Sequence, residues 1–234
     1  MGEPAIDLFD EKSSTEVDER NLKQKIFDTH TEELILGICG PIGTDIHFVS
    51  SRIQEILEQQ FNYTVKKIRL SDFIKRLSKS IDFSKIKDEN KKIHELISAG
   101  NKLREKHENN ILAALAINEI AVEREMARKS KEFKSQRICY IIDSIKNNEE
   151  LELFRLVYRG LFYFLGIFSP IEIREKYLED KGLKKDQVYK LFDRDSGEDF
   201  DHGQKVTDTF VKADFFLRID KSTTQIIGHC FILS

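Results

Sequence analysis

The sequence predicts an α/β protein, built on a parallel five-stranded sheet with helices on both faces. Three observations favour this class. Short apolar runs, typical of strands buried on both faces, alternate with longer segments of helical period. A glycine-bearing turn joins the first run to the first helix, as expected at the opening of a βαβ unit. With three prolines and eleven glycines in 234 residues, the chain is neither collagen-like nor of low complexity.

Each element follows from the local pattern of apolar residues. The apolar runs predict strands at residues 33–40, 64–70, 137–145, 161–170 and 213–220. Apolar residues at helical intervals predict helices at residues 46–61, 111–133, 149–160 and 171–182. A further short helix is expected to open with Ser71 and Asp72 as caps.

The remaining segments are more polar. Residues 85–110 are predicted to be largely helical, with an interruption at Gly100-Asn101. Residues 185–213 are charged and loop-rich, with a short helix on either side. A solvated face is expected on the 111–133 helix from Glu123, Arg124, Glu125 and Arg128.

The chain divides into one domain and two tails. Residues 1–32 lack an apolar period and are expected to form a flexible tail, residues 33–220 form the domain, and residues 221–234 form a C-terminal tail. No run approaches about 18 apolar residues, and no secretory signal is recognisable, so we expect a cytoplasmic protein without a membrane partner. A net charge of −3 argues against nucleic-acid binding by bulk electrostatics.

The cysteines do not form a zinc site. Cys39, Cys139 and Cys230 are far apart, and we interpret them as buried, reduced thiols. No CxxC occurs, which excludes a structural zinc knuckle on spacing. His30 and Glu32 match the HxE half of a zinc deaminase signature, but the PCxxC half is missing, so we expect no zinc ligand in this chain.

The segment GICGPIGT, at residues 37–44, lies between the first strand and the first helix. Compared with the phosphate-binding motif GxxxxGK[ST], it keeps the first glycine and the terminal hydroxyl, whereas Ile42 replaces the second glycine and Gly43 replaces the lysine. Backbone N–H groups and a helix N-terminus still favour a phosphate, although such turns also serve purely structural ends. The predicted phosphate-binding residues of the turn are Gly37, Gly40, Pro41, Ile42, Gly43, Thr44 and Asp45.

Charged residues elsewhere complete the predicted site. Asp143 ends the third strand, where a carboxylate would bind Mg²⁺ together with Thr44; the alternative is an N-cap of the next helix. Arg174 and Arg194 are candidate phosphate ligands, with Lys205 in the same third of the chain. The alternative for Arg194 is pairing with the carboxylates beside it, Asp193 and Asp195. The expected cofactor is Mg²⁺ with a nucleoside triphosphate.

Several segments follow the order found in one known family. They are GICGPIGT at 37–44, IRLSDFI at 68–74, AGNKLRE at 99–105, YIIDSIKNNEELELFRLVY at 140–158, FSPIEIREKYL at 168–178 and RDSGEDFDHGQKVTDTFVKADFFL at 194–217. Over residues 33–220 the chain resembles the N-terminal P-loop kinase-like domain of bacterial anti-phage dCTP deaminases, in the cytidine and deoxycytidylate deaminase superfamily.

The resemblance implies a P-loop NTPase fold of the nucleotide-kinase type. It also implies a role in antiviral defence, since the family depletes dCTP by converting it to dUTP. In full-length members that reaction belongs to a C-terminal zinc domain, whose HxE and PCxxC motifs are absent before Ser234. The alternatives are a truncated protein, an excised domain and a stand-alone relative; truncation is the expectation.

Three functions remain to be compared. The leading one is a regulatory nucleotide-binding P-loop domain without deaminase activity. The second is an active nucleoside or nucleotide kinase, in which Arg174 or Arg194 supplies the cation missing from the turn. The third is a module that binds an inhibitory RNA or protein through basic stretches at residues 65–69, 75–79 and 128–137. The nucleotide's identity and assembly into a homo-oligomer are left open.

Overall fold

The computed structural model describes residues 32–129, 137–196 and 206–220. Five parallel strands form one sheet in the order β2-β3-β1-β4-β5. The strands are β1 Leu34–Cys39, β2 Thr64–Arg69, β3 Ile138–Asp143, β4 Phe162–Phe168 and β5 Phe215–Arg218. The predicted α/β class and parallel sheet are confirmed. The predicted tails at 1–32 and 221–234 lie outside the described residues, except for residue 32.

Helices connect the strands at nearly all of the predicted places. They are α1 Ile46–Phe61, α2 Leu70–Leu77, α3 Glu89–Lys106, α4 Ile111–Lys129, α5 Asn148–Tyr158, α6 Ile171–Asp180, α7 Lys185–Ser196 and α8 Val206–Phe210. Short 3₁₀ turns occupy Phe83–Lys85 and Arg159–Leu161. Among these described helices, none combines the length and the apolar character needed to cross a membrane.

Two sequence predictions about helices are wrong. Ser71 and Asp72 do not cap α2 but lie in its first turn, because β2 passes directly into the helix at Leu70. The expected interruption at Gly100-Asn101 does not occur, and α3 runs through it. A Cβ atom at Gly100 would lie 3.0 Å from Cδ1 of Ile74, so this glycine allows α3 and α2 to approach closely.

Separate apolar cores cover the two faces of the sheet. On one face, Ile35 and Cys39 of β1 pack with residues of α2 to α5. On the other face, Ile38 packs with α1, and Cys139 of β3 lies in the same cluster. Cys39 and Cys139 are buried free thiols, as predicted, while Cys230 lies outside the described residues. Helices on both faces are therefore confirmed.

The charged residues of α4 make tertiary contacts that the sequence did not indicate. Glu123 accepts hydrogen bonds from Nζ of Lys66 at 2.6 Å and from the Tyr140 hydroxyl at 3.1 Å. Arg124 donates to both carboxylate oxygens of Glu33, at 3.0 and 2.6 Å. The expected solvated face is wrong for these two residues, because they join α4 to the sheet region. Glu125 is exposed, and nothing is described for the side chain of Arg128.

A buried ion pair fixes the start of α5 against α3. Nε and Nη2 of Arg104 donate to Oε1 of Glu150 at 3.0 and 2.8 Å, and the two residues are 2% and 0% exposed. The other oxygen of Glu150 accepts from the backbone N–H of Lys146 at 3.3 Å. The pair therefore holds the loop between β3 and α5, which borders the site described next.

Candidate functional site

A crevice forms at the carboxyl ends of the neighbouring strands β1 and β3. The helix that follows β1 covers one face of the sheet, whereas the helix that follows β3 covers the other. In open parallel sheets, ligands bind where the outgoing connections diverge in this way. The turn after β1 and the loop after β3 are therefore the place to look for a site.

The turn after β1 leads straight into the N-terminus of α1. Thr44 N–H donates to the Pro41 carbonyl at 3.1 Å, and Gly43 has a positive φ of 86°. The Asp45 carboxylate accepts from the Phe48 N–H at 3.1 Å and so caps the 16-residue helix. The positive end of the helix dipole thus faces the turn.

Gly43 cannot be replaced by a lysine in this conformation. A Cβ atom there would lie 2.8 Å from the backbone oxygen of Arg174, and the positive φ strains any L side chain. The lysine of the phosphate-binding motif is thus excluded at this position by the path of the backbone.

The other two glycines of the turn serve close packing. A Cβ atom at Gly37 would lie 2.7 Å from side-chain atoms of Ile145 and Phe162. One at Gly40 would lie 2.7 Å from the backbone oxygen of Ile167 in β4. Substitution of either glycine would therefore disturb the sheet before it affected a ligand.

Thr44 carries a buried hydroxyl that lacks a partner among the described residues. The residue is only 6% exposed, and its Oγ1 makes no hydrogen bond. Leaving a buried polar group unsatisfied costs about 1–3 kcal/mol, so such groups need an explanation. A ligand that binds the Thr44 hydroxyl at the N-terminus of α1 would supply such an explanation.

Asp143 lies at the end of β3, in register with Ile38 of β1. Its carboxylate is 3% exposed and contacts Nδ1 of His47 at 2.7 Å, and Nε of Arg69 at 3.8 Å. The Ser144 hydroxyl donates to its other oxygen at 3.0 Å. The carboxylate lies at the carboxyl end of the sheet, where the turn also lies, as the sequence predicted. No sequence signal pointed to His47 or Arg69.

The N-cap alternative for Asp143 is wrong. Helix α5 is capped by Asn147, whose side chain accepts from the Glu149 N–H at 2.9 Å. The chain makes a further turn between Asp143 and this cap, with Ser144 at a φ of 71°. The Asp143 carboxylate therefore does not cap α5 and contacts His47, Arg69 and Ser144 instead.

The two predicted arginines occupy different places. Nε of Arg174 donates to the Ile42 carbonyl at 2.8 Å, and its guanidinium lies 4.3 Å from the centre of the Phe192 ring. Burial lowers the pKa of Arg174, and the nearby Asp195 carboxylate opposes that shift. Arg174 therefore lies at the turn.

Arg194 instead contacts α3. Its Nη1 lies 2.8 Å from Nδ1 of His94, and its Nη2 donates to the Ser98 hydroxyl at 3.0 Å. A role in phosphate binding stays a prediction for Arg194. Lys205 lies outside the described residues.

The sequence reasoning missed two residues that lie near the turn, Asp195 and Lys146. The Ile42 N–H donates to Asp195, which also contacts Lys146 from the loop after β3. Beside them lies a cavity of about 320 Å³, whose wall includes Pro41, Arg174, Phe192, Asp193, Asp195 and Thr207. The sequence signal that could have identified Lys146 is its position, three residues after Asp143.

Carboxylates within the chain neutralise much of the basic stretches at 65–69 and 75–79. The ion pairs are Lys66–Glu123 at 2.6 Å, Arg69–Asp143 at 3.8 Å, Lys75–Asp72 at 2.8 Å and Arg76–Glu119 at 3.5 Å. Most of the third stretch, 128–137, lies outside the described residues. These pairings lower the net positive charge of the two stretches.

Comparisons with known proteins identify no family. No family model matches the chain, and no curated protein matches it significantly. An uncharacterized protein from Eubacterium ventriosum is 14% identical, with a TM-score of 0.39, over 80% of this chain and 89% of that chain. A gluconokinase from Sinorhizobium meliloti is 10% identical, with a TM-score of 0.34, over 83% of this chain and 86% of that chain.

The fold class follows from the chain's own topology. The central β1 leads through a glycine-bearing turn into α1, and the neighbouring β3 ends in a carboxylate. With the strand order β2-β3-β1-β4-β5, this is an α/β fold built on a parallel five-stranded sheet, with helices on both faces. The predicted α/β class with a parallel sheet is confirmed, and the P-loop nucleotide-kinase type stays a prediction.

Proposed function

We propose that the chain is a nucleotide-binding domain, which holds the phosphates of a nucleoside triphosphate over residues 37–45. The Thr44 hydroxyl carries the proposal, because it is buried at the N-terminus of α1 and none of the described residues bonds to it. Backbone N–H groups and the helix dipole attract a phosphate there without a lysine side chain.

The residues at the crevice fit a magnesium ion bound with the nucleotide. Mg²⁺ prefers oxygen ligands and retains several waters, so it needs few protein groups. The Thr44 hydroxyl and the Asp143 carboxylate are the oxygens that would hold it, and Mg²⁺ would offset phosphate charge. His47 and Arg69 keep the Asp143 carboxylate oriented at the carboxyl end of β3.

We further propose that the domain regulates a defence protein of the anti-phage dCTP deaminase type. Segments that carry the family resemblance converge on the crevice: GICGPIGT forms the turn, IIDSIK brings Asp143 and Lys146, and RDS brings Asp195. The chain itself is proposed to lack deaminase activity, because it contains neither zinc-binding cysteine pair nor PCxxC. Phosphoryl transfer by a kinase is the second candidate, since Arg174 lies at the turn.

Titration calorimetry tests the binding proposal. ATP, GTP, dCTP and dTTP are each titrated into the chain with and without Mg²⁺, and at least one should bind in a Mg²⁺-dependent manner. Asp143→Asn should weaken that dependence, whereas Asp193→Asn, which changes an exposed carboxylate near the turn, should preserve it. Failure of all four nucleotides to bind below millimolar concentrations would reject the phosphate site.

Two assays address the defence and kinase proposals. The purified chain should form no uracil product from dCTP, even after loading with zinc. A longer reading frame, with HxE and PCxxC beyond Ser234, would support the family proposal. Rapid transfer of phosphate from ATP to a nucleoside would favour the kinase instead.

A further inference from the structure

A buried carboxylate bridges the two loops that flank the crevice. Oδ2 of Asp195, in α7, accepts a hydrogen bond from the Ile42 N–H at 2.6 Å. Its Oδ1 accepts from Nζ of Lys146 at 2.7 Å. The side chains of Asp195 and Lys146 are 2% and 16% exposed. One charge-assisted unit therefore joins the turn, the loop after β3 and α7.

This carboxylate occupies a position suited to a phosphate. The Ile42 N–H belongs to the turn whose backbone donors would face a bound phosphate. A phosphate, like a carboxylate, presents two acceptor oxygens to an N–H group and an ammonium. The bridge therefore marks an anion position with a backbone donor on one side and a lysine on the other.

Lys146 reaches the turn because of the way the chain leaves β3. Ser144 has a positive φ, and the Ile145 N–H then donates to the Ile38 carbonyl at 2.9 Å, which draws the chain back beside β1. Burial raises the pKa of Cys39, the last residue of β1, to about 12, and the Lys146 charge opposes this rise. The ammonium thus lies beside a turn that has no lysine of its own.

We propose that Lys146 is the cation that meets the bound phosphate, and that Asp195 holds this position until phosphate displaces it. The inference rests on the proposed function, because it requires a phosphate on the turn. Without ligand, Asp195 satisfies both donors. On binding, phosphate oxygens take the Ile42 N–H and the Lys146 ammonium, and the carboxylate turns toward the 320 Å³ cavity that it helps to line.

A purely structural ion pair gives a different result from displacement. If the pair only anchors α7, then Asp195→Asn and Lys146→Met both remove the anchor and shift phosphate affinity in the same direction. Displacement predicts opposite shifts. Asp195→Asn removes the competing charge and should tighten binding about tenfold, whereas Lys146→Met removes a ligand and should weaken it about tenfold.

Titration of the full chain with inorganic tripolyphosphate and Mg²⁺ measures these shifts without a contribution from base or sugar. Asp193→Asn is the matched control, because Asp193 also lines the cavity but is exposed. Its affinity should stay within about twofold of the parent, since solvent screens the charge. Circular dichroism verifies that each variant is folded. Shifts of the same sign, or none, would overturn the displacement.

Hydrogen–deuterium exchange of the parent chain provides a readout that needs no variant. Tripolyphosphate should slow exchange in residues 40–46 and accelerate it in α7, which loses its contact with the turn. Slower exchange in both segments would overturn displacement but leave the phosphate site standing. If neither the parent nor Asp195→Asn binds tripolyphosphate below millimolar concentrations, the proposed function fails as well.

Discussion

Replacing Thr44 with valine should make the ligand-free protein more stable and its nucleotide binding weaker. Valine keeps nearly the same shape but replaces the hydroxyl with a methyl group. The hydroxyl is buried and has no partner in the part of the chain that the structure describes, which costs about 1–3 kcal/mol, so its removal should raise the free energy of unfolding by about 1 kcal/mol. For a domain of this size, that corresponds to a rise in Tm of about 2–4 °C.

The order of stability should reverse when nucleotide is added. A ligand at about 100 times its Kd stabilises the folded parent by about 2.7 kcal/mol, and a variant that binds poorly gains little. Urea unfolding with and without ATP and Mg²⁺ measures both effects. A crossing of the two stabilities separates a ligand-binding hydroxyl from one that only contributes to packing.

Two variants serve as controls for this test. Ser50→Ala removes a buried hydroxyl of α1 that also has no partner among the described residues; it lies away from the turn, so nucleotide affinity should stay unchanged. Thr44→Ser keeps the hydroxyl and should keep Mg²⁺-dependent binding. The reasoning is refuted if Thr44→Val is less stable than the parent without ligand, or if it binds ATP as tightly.

Three further predictions concern stability, each measured by urea unfolding. Glu150→Ala leaves the buried charge of Arg104 uncompensated and should cost about 3–5 kcal/mol; a loss under about 1 kcal/mol would contradict this. Gly43→Ala should cost about 1–3 kcal/mol more than Gly182→Ala, because both glycines have positive φ but only Gly43 lacks room for a Cβ; equal losses would refute the close contact. Burial raises the pKa of Cys39 from 9.0 to about 12, so as pH rises the thiol loses its proton in the unfolded chain before it does so in the folded protein. Stability should be intact below pH 9.0 and fall as pH rises toward 12, and a Cys39→Ala variant should show a shallower fall.

The strands were predictable because their signal is local. Residues 138–142 are apolar and lie in β3, which is an inner strand of the sheet with both faces covered, so an unbroken apolar run identifies them. Gly100 shows the limit of local reasoning. It suggested a break in a helix, whereas close packing against Ile74 carries α3 through that position. Tertiary packing overrode the backbone preference of a single residue.

The site was predictable where sequence order alone places residues together. The turn after β1 and Asp143 at the end of β3 lie close together because the carboxyl ends of parallel strands lie at the same end of the sheet. Asp195 could not be found in this way, since it contacts Ile42 across 153 residues and Lys146 across 49. No spacing in the sequence encodes such a contact, which depends on where α7 packs.

The charges at the crevice favour binding over phosphoryl transfer. Gly43 leaves no space for a lysine on the turn, and the cation that we propose in its place, Lys146, is already paired with Asp195. A phosphate therefore exchanges one ion pair for another, and the net gain in free energy is smaller than with an unpaired lysine. Fast transfer requires charges that are fixed in place before the reaction, and a lysine released only by displacement does not meet that requirement. A domain built in this way is suited to respond to a nucleotide through the position of α7, which agrees with the regulatory role proposed for it.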